Sequence, residues 1–356
     1  MNSIYKLLFI AVILISNSVF ANKIDSSIKV SGYLEAFYNF TQRNGNVNSM
    51  PDLYVNHKDL NQFSINAAII DFNYSKNNMR ANAGLIAGSY SKYNNEFDYK
   101  NIYQLNIGFE ISKKHNIWLD AGIMPSHIGT ESVIGSGNMT LSRSLNAEST
   151  PYYETGLKLS RTSKNKKWNM AFLYLNGWQT IRKSNYYHNV FGTSLVFNNT
   201  KNIFGWNTIF IHDVDARTFI NDIIFNNFYY NRKLNSKFSV LLGYDIMANT
   251  FNKNTIMVNW TTATIISSYK INSKHSISLR AEQYKNFSEV LFQGLLAYLP
   301  YNIDYNSASI NHDYRINSSL MFRTELKYLN TNKVHNEFLT NEYERLNLLF
   351  ALCYKI

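Results

Sequence analysis

From residue 29 to the last residue, apolar and polar side chains alternate in short runs. In Asn101–Ser112 (NIYQLNIGFEIS), Tyr103, Leu105, Ile107, Phe109 and Ile111 share one face, while Gln104, Asn106, Gly108, Glu110 and Ser112 share the other. A period of two is that of a strand. The closing stretch repeats it: Leu346, Leu348, Phe350, Leu352, Tyr354 and Ile356 against Arg345, Asn347 and Lys355. Sixteen segments of this kind are counted: 29–41, 60–74, 78–90, 99–112, 115–125, 151–162, 166–178, 187–198, 202–212, 217–231, 235–247, 253–269, 273–285, 302–314, 317–330 and 342–356. Most reach the about 9–11 residues that a tilted membrane strand needs.

The connections carry a second pattern. Seven are short and polar, near Lys76, Lys113, Lys164, Asn199, Asn235, Asn272 and Asn317. Between them fall longer ones, among them 42–59, 91–98, 126–150, 179–186, 286–301 and 331–341; those near Asp213–Ala216 and Asn249–Asn252 are short exceptions. Short turns at one rim and longer loops at the other mark an all-β fold, a transmembrane antiparallel up-and-down β-barrel. About 16 strands are expected, with 14 or 18 as the alternatives, because a hairpin could hide in 41–60 or 285–302.

Composition sharpens this reading. Residues 1–21 (MNSIYKLLFIAVILISNSVFA) hold one basic residue, Lys6, an apolar run from Leu7 to Ile15, and small residues at Val19 and Ala21. They read as a secretory signal peptide, leaving 22–356 as the mature barrel. The run is shorter than the about 20 apolar residues of a membrane-spanning helix. The chain carries 26 Tyr and 23 Phe, and with an export signal this aromatic richness points to the cell outer membrane. The net charge of +11 comes from scattered Lys and Arg, so no nucleic-acid partner is expected. One cysteine, Cys353, rules out a disulfide within the chain.

The alternation breaks at Ala121–Gly156, AGIMPSHIGTESVIGSGNMTLSRSLNAESTPYYETG. Its glycines and Pro125 oppose a long helix, so 126–150 is expected to be a folded, inserted loop. DAGIMPSHIGTES, LSRSLNAESTPYYETGLKLS and LYLNGWQ resemble the core signature of outer-membrane β-barrel porins of the OmpL-like type common in Bacteroidota. The resemblance implies an outer-membrane barrel and, more weakly, a pore, and leaves the transported substrate open. The terminal strand is similar to the recognition end that outer-membrane proteins present to the barrel assembly machinery, although Ile356 stands where most end in Phe.

The candidate chemistry is that of a lumen. A charge facing lipid costs about 2–4 kcal/mol near the midplane, so Arg80, Arg280, Glu282, Arg323, Glu325 and Lys327 are placed inside. Arg280 with Glu282 and Arg323 with Glu325 are candidate cross-strand networks. His127, Glu131, Arg143 and Glu148 are candidate constriction residues: folded inward, the last three would narrow a pore and face Arg80 or Arg280. Trp118, Trp168, Trp178, Trp206 and Trp260 are candidates for interfacial girdles.

Ser126, His127, Glu131 and Ser144 could be assembled into a nucleophile and base, but their spacing matches no catalytic motif. His127 with Glu131 makes no full ligand set, and His212, Asp213 and Asp215 form a second cluster on an expected external turn, where calcium is the less favoured alternative to no metal. No enzyme activity, cofactor or metal is therefore expected. The functional reading is a porin-like channel for passive diffusion of ions or small polar solutes. The alternative is a non-conducting barrel with a structural, adhesion or, less favoured, enzymatic role. Its partners would be outer-membrane lipid, the assembly machinery and small polar solutes; whether it forms a homo-oligomer stays open.

Overall fold

The computed structural model describes residues 27–41, 50–51, 53–183, 187–214, 220–251, 255–287, 304–332 and 343–356. The export-signal reading of 1–21 falls outside the described residues, as does Asp215. The chain forms β1 (Ile28–Thr41), β2 (Phe63–Lys76), β3 (Met79–Ala87) and β4 (Ile102–Ser112). There follow β5 (Ile117–Pro125), β6 (Tyr153–Thr162), β7 (Trp168–Leu175) and β8 (Tyr187–Asn198). Next come β9 (Asn202–Val214), β10 (Ile220–Lys233), β11 (Phe238–Phe251) and β12 (Thr255–Lys270). The last four are β13 (His275–Asn286), β14 (Asp304–Arg315), β15 (Leu320–Asn332) and β16 (Tyr343–Lys355).

Each strand pairs antiparallel with the next, and β1 closes on β16 from Tyr33↔Lys355 to Thr41↔Asn347. Closure leaves no sheet edge, which a lipid environment demands of a spanning sheet. The even strand number puts both ends of the barrel chain at the rim of short turns. The alternation decides which face each side chain takes. Leu105, Ile107, Phe109 and Ile111 point outward and exposed, while Gln104 and Asn106 are buried within.

Two short helices interrupt the strand order: α1 (Ser89–Asn94), which begins within the strand expected over 78–90, and α2 (Leu145–Glu148). The segment read as a strand over 78–90 stops at Ala87. Gly88 there has φ 136°, and a Cβ would lie 2.4 Å from the Asn66 carbonyl oxygen. Only glycine suits that turn, which swings the chain into α1.

The tryptophans depart from the girdle expectation. Trp168 and Trp206 do face outward. Trp178 and Trp260 are fully buried inside the barrel, the latter beside a bulge in β12 that also buries Asn259. Trp118 lies 4.3 Å beneath the Arg80 guanidinium. They join an unusual inner wall. At the rim of long loops the inward side chains of β7 to β15 are apolar, among them Leu175, Ile211, Ile223, Phe225, Met247 and Leu329. Met50, Leu53, Tyr54 and Leu60, from the connection between β1 and β2, pack against them. The barrel thus has a hydrophobic core inside its lumen.

Candidate functional site: the lumen and its two inserted segments

Segment 126–150 enters the barrel straight after β5. The backbone N–H of Ser126 donates to Tyr152 O at 3.1 Å, which holds the two ends of the segment together. His127 lies at the start, with Nδ1 2.8 Å from the Glu154 carboxylate and Nε2 3.0 Å from the Thr208 carbonyl oxygen. Both neighbours can only accept, so an imidazolium donating from both nitrogens satisfies them. Burial acts to lower the His127 pKa, but the Glu154 carboxylate outweighs it and the net direction is upward. Ser126 Oγ also donates to Glu154. Gly129 N–H then reaches Asn227 on β10 at 3.0 Å.

The middle of the segment folds around Arg143. Its guanidinium donates to the carbonyls of Ser132, Val133 and Leu141 at 2.9, 2.6 and 2.7 Å. The Ser144 side chain caps α2 by accepting from Ala147 N–H and itself donates to Glu131. Burial raises the Glu131 pKa.

The far side of the segment is held by the wall of β13 to β15. Arg280 donates to Thr140 Oγ1 at 2.8 Å, to the Ser142 carbonyl at 2.7 Å and to Glu325 at 2.9 Å. Arg323 donates to Gly135 O at 2.6 Å and Asn138 O at 3.1 Å. Three backbone N–H groups donate in the other direction: Leu141 to Asn311, Ser142 to Glu325 at 2.6 Å and Leu145 to Glu282 at 2.8 Å. Charges on the wall therefore replace the sheet or helix partners that this irregular backbone lacks. Lys327 completes the cluster, 3.2 Å from Glu282 and over the Tyr54 ring.

Of the expected lumen residues, Arg280, Glu282, Glu325 and Lys327 meet here and Arg323 binds the same segment, while His127 lies at its start and Glu148 at its junction with 50–62. Arg80 lies apart, bonded to Asp120 of β5 at 2.6 Å, and no bond joins it to Glu131, Arg143 or Glu148. The expected pairing of Arg323 with Glu325 is replaced: Arg323 bonds Asp313 at 2.7 Å and Glu325 bonds Arg280. Arg280 does lie 3.4 Å from Glu282. His127 and Glu131 have different partners: His127 lies on Glu154, which Ser126 also bonds, and Glu131 on Ser144. His212 bonds Asp222 across the strands at 2.7 Å. Among the described residues no group of three His, Cys, Asp or Glu is arranged to hold a metal.

The second inserted segment, 50–62, covers the end of the long connection expected over 42–59 and the start of the strand expected over 60–74. It instead lies above 126–150 in the lumen. His57 Nε2 is 2.6 Å from Glu35 on β1, and its backbone is tied to Asn66 and Asn39. Tyr33 OH also donates to Glu35. His57 has φ 51°, a left-handed turn that brings the ring back to the wall. Burial lowers its pKa, against the pull of the Glu35 carboxylate. Glu148 joins the two segments, accepting from Val55 N–H at 2.7 Å and Asn56 Nδ2 at 3.1 Å. Burial pushes the Glu148 carboxyl up to about 7.

Sequence reasoning missed Glu35, His57 and Asp313. Glu35 was open to discovery: it is the lone charge in GYLEAFYNF, on the inward register of a strand that meets lipid on its other face. The space left beside the inserted segments is small. Voids of about 30 and 60 Å³ flank 126–150, next to Asn227 and Asp245 in one case and Tyr103 and Tyr153 in the other. Each holds a few waters at most. Toward the rim of short turns, an open cavity of about 590 Å³ lies between Ser132–Gly137 and the β14–β15 turn.

A closed barrel of sixteen antiparallel strands, with an aliphatic and aromatic exterior and a lumen crossed by an inserted loop, is an outer-membrane protein of the porin type. A family model described as "Putative beta-barrel porin-2, OmpL-like" matches residues 27–354, and the chain belongs to that family. The fold is similar to that of the outer membrane channel DcaP of Acinetobacter baumannii, with a TM-score of 0.62, 9% identity, and 92% of this chain and 97% of that one covered. It is also similar to OmpT of Vibrio cholerae, with a TM-score of 0.58, 9% identity and coverage of 92% and 97%. An anion-selective porin from Comamonas acidovorans aligns with a TM-score of 0.58, 8% identity and coverage of 93% and 99%. No curated protein matches the chain. Of the residues from which a nucleophile and base could be assembled, Ser126 and His127 both bond Glu154, and Ser144 bonds Glu131.

Proposed function

We propose that this protein is an outer-membrane channel for passive diffusion of ions and small polar solutes, with segment 126–150 as its constriction. The observation that carries this is the row of bonds from Arg280, Glu282, Arg323 and Glu325 to the backbone of that segment across the lumen. Glu131, Arg143 and Glu148 then set the local field, with His127 fixing the entry of the loop. The channel and porin titles of the similar structures support the class. Residues 1–21 would direct export, and the alternating β16 would engage the barrel assembly machinery. The Bacteroidota type rests on the motif resemblance.

The test is single-channel conductance of refolded protein in a planar bilayer at low salt, where screening is weak. Replacing Gly135–Asn146 by a short Gly-Ser link is expected to raise conductance. Neutralising Glu131 and Glu148 together is expected to change the cation/anion permeability ratio. Unchanged conductance and reversal potential in both variants, with folding verified by heat-modifiable gel migration, would remove the constriction role.

A second reading, a non-conducting barrel, is favoured by the apolar seat of 50–62. Burying Met50, Leu53, Tyr54 and Leu60 is worth on the order of 6–12 kcal/mol before chain entropy is counted, at about 1.5–3 kcal/mol each. Such a plug does not leave spontaneously at a rate that supports steady flux. A silent wild type whose 50–62 deletion conducts would favour this reading.

A further inference from the structure

We propose that the rim of short turns is a docking band for anionic phospholipid headgroups. Five consecutive turns at this rim, from β4–β5 to β12–β13, carry Lys113 and Lys114, three lysines in 163–167, and then Lys201, Lys237 and Lys274, all of them exposed. No Asp or Glu occurs in these turns, and none of their lysines has an ion pair among the described residues. The described loops of the opposite rim mix both signs. There Arg182 bonds Asp98 at 2.7 Å, and Glu96 stands between Lys92 and Lys100 in the chain.

One local device presents these lysines. In four of the turns an asparagine carboxamide oxygen accepts the backbone N–H of the lysine two residues on. Asn165 does so for Lys167 at 3.1 Å, Asn199 for Lys201 at 2.9 Å, Asn235 for Lys237 at 2.8 Å and Asn272 for Lys274 at 2.8 Å. Such an Asx turn satisfies a backbone donor that the ladder leaves free at a hairpin tip. It also fixes where each lysine leaves the chain. Three of the four turns repeat the triplet Asn-Ser-Lys or Asn-Thr-Lys. Neighbouring turns at this rim lie two strands apart, about 10 Å. That is about one Debye length at ~0.1 M salt, so their fields overlap into one band.

The level of the band selects the occupant. Trp168 directly follows Lys167, Phe204 lies shortly after Lys201, and Tyr269 directly precedes Lys270; all three rings face outward and are exposed. Trp and Tyr settle at the headgroup layer of a bilayer, which puts the turn lysines at the phosphate plane or just beyond it. A lysine stem lies on apolar surface while its ammonium stays at the polar side. The partner must therefore offer negative charge directly against an apolar layer. A phospholipid of net negative charge does so, and a soluble acidic polymer does not. Each lysine held near such a surface contributes about fivefold in affinity.

The experiment places the full-length protein in nanodiscs of phosphatidylglycerol and phosphatidylcholine in equal parts and counts, by native mass, the lipid that stays bound on release. The wild type is expected to keep ~tenfold more phosphatidylglycerol at low salt and to lose most of that preference at about 1 M salt, where the Debye length is about 3 Å. Lys167→Gln, Lys201→Gln, Lys237→Gln and Lys274→Gln combined leave the asparagine bonds intact and should bring the two lipids near parity, with folding verified by heat-modifiable migration. Lys92→Gln, Lys100→Gln and Arg182→Gln combined, at the opposite rim, should keep the preference. Equal retention of both lipids by the wild type, a preference that survives the four turn substitutions, or the same loss in the opposite-rim variant overturns the proposal. So does polyglutamate binding through the same four lysines in pure phosphatidylcholine nanodiscs, which would assign the band to a soluble acidic partner.

Discussion

The two segments that enter the lumen are held by opposite physics. Segment 126–150 is irregular backbone fixed by charged side chains, with Arg280 and Arg323 on its carbonyls and Glu282 and Glu325 on its N–H groups. Segment 50–62 packs apolar side chains on an apolar wall, and adds polar ties from His57 to Glu35 and Asn66 and from Val55 and Asn56 to Glu148. The first rests on the middle of the barrel, where strand charges already face inward. The second rests on the rim of long loops, where the inner wall of β7 to β15 is apolar. A porin lumen is ordinarily polar, so that apolar half makes sense only as the seat of a segment. One lumen thus contains a polar-held loop and a hydrophobic core.

The largest expected effect tests the polar half. Arg280→Met removes the donor that serves Glu325, Thr140 and the Ser142 carbonyl, leaving Glu282 and Glu325 with Lys327 as their remaining cation. Breaking a buried charge cluster from one side costs about 3–5 kcal/mol. Urea unfolding in detergent should show that loss. Trypsin should also cut after Arg143, which is fully buried in the wild type. Retained protection of Arg143 would mean that the wall charges do not hold the loop.

Leu53→Ala tests the apolar half. Leu53 is buried between the segment and the wall, and a buried Leu→Ala change costs about 2–5 kcal/mol. The expected signature differs in kind: chymotrypsin gains access to Tyr54, while Arg143 stays protected from trypsin. If both segments open in this variant, they are one unit and the contrast drawn above is lost.

A smaller effect isolates local order in 126–150. Ser144 caps α2, and loss of such a cap costs about 1 kcal/mol. Ser144→Ala also deprives Glu131 of its hydroxyl partner. The unfolding midpoint should shift by about that amount, with no new cleavage at Tyr54. A shift as large as that of Arg280→Met would show that α2, rather than the wall, organises the loop.

These contrasts explain what the sequence could disclose. The strands were legible because lipid and lumen impose a strict period of two, as in Leu105 to Ile111. The site at 126–150 was legible because it breaks that period with glycines and charges. Its charges on the wall were legible as well, since Arg280 and Glu325 have no place in lipid. The pairing of those charges was not, because Arg323 chooses Asp313 through strand register, a non-local quantity. Segment 50–62 was hidden for another reason. Leu53, Tyr54 and Leu60 among polar neighbours look like any surface connection, and their burial depends on a wall formed by strands far along the chain. Trp260 shows the same limit, since its inward aim follows from a bulge.

The last contrast is in pH, where Glu148 and His57 respond with opposite signs. Glu148, at the junction, is raised by burial from 4.5 to about 7. Its folded state prefers the proton, so the stabilisation is complete below pH 4.5 and is lost as pH rises through about 7. His57 is lowered from 6.5, chiefly by burial. Its folded state prefers the neutral ring, so that contribution is present above pH 6.5 and is lost as pH falls below that value through the lower folded-state pKa. Over pH 8 to 5 the contributions of Glu148 and His57 to the wild-type unfolding midpoint therefore oppose each other. Single variants uncover each part. Glu148→Gln should gain less stability than the wild type on acidification, because only the wild type takes up a proton at that carboxyl. His57→Asn, chosen because asparagine tolerates the φ of 51°, should gain stability on acidification. The measurement is urea midpoint against pH for the three proteins, with chymotrypsin access at Tyr54 as the local readout. Parallel profiles for both variants and the wild type would show that neither group titrates with the docking of 50–62, and that this segment is held by its apolar contacts alone.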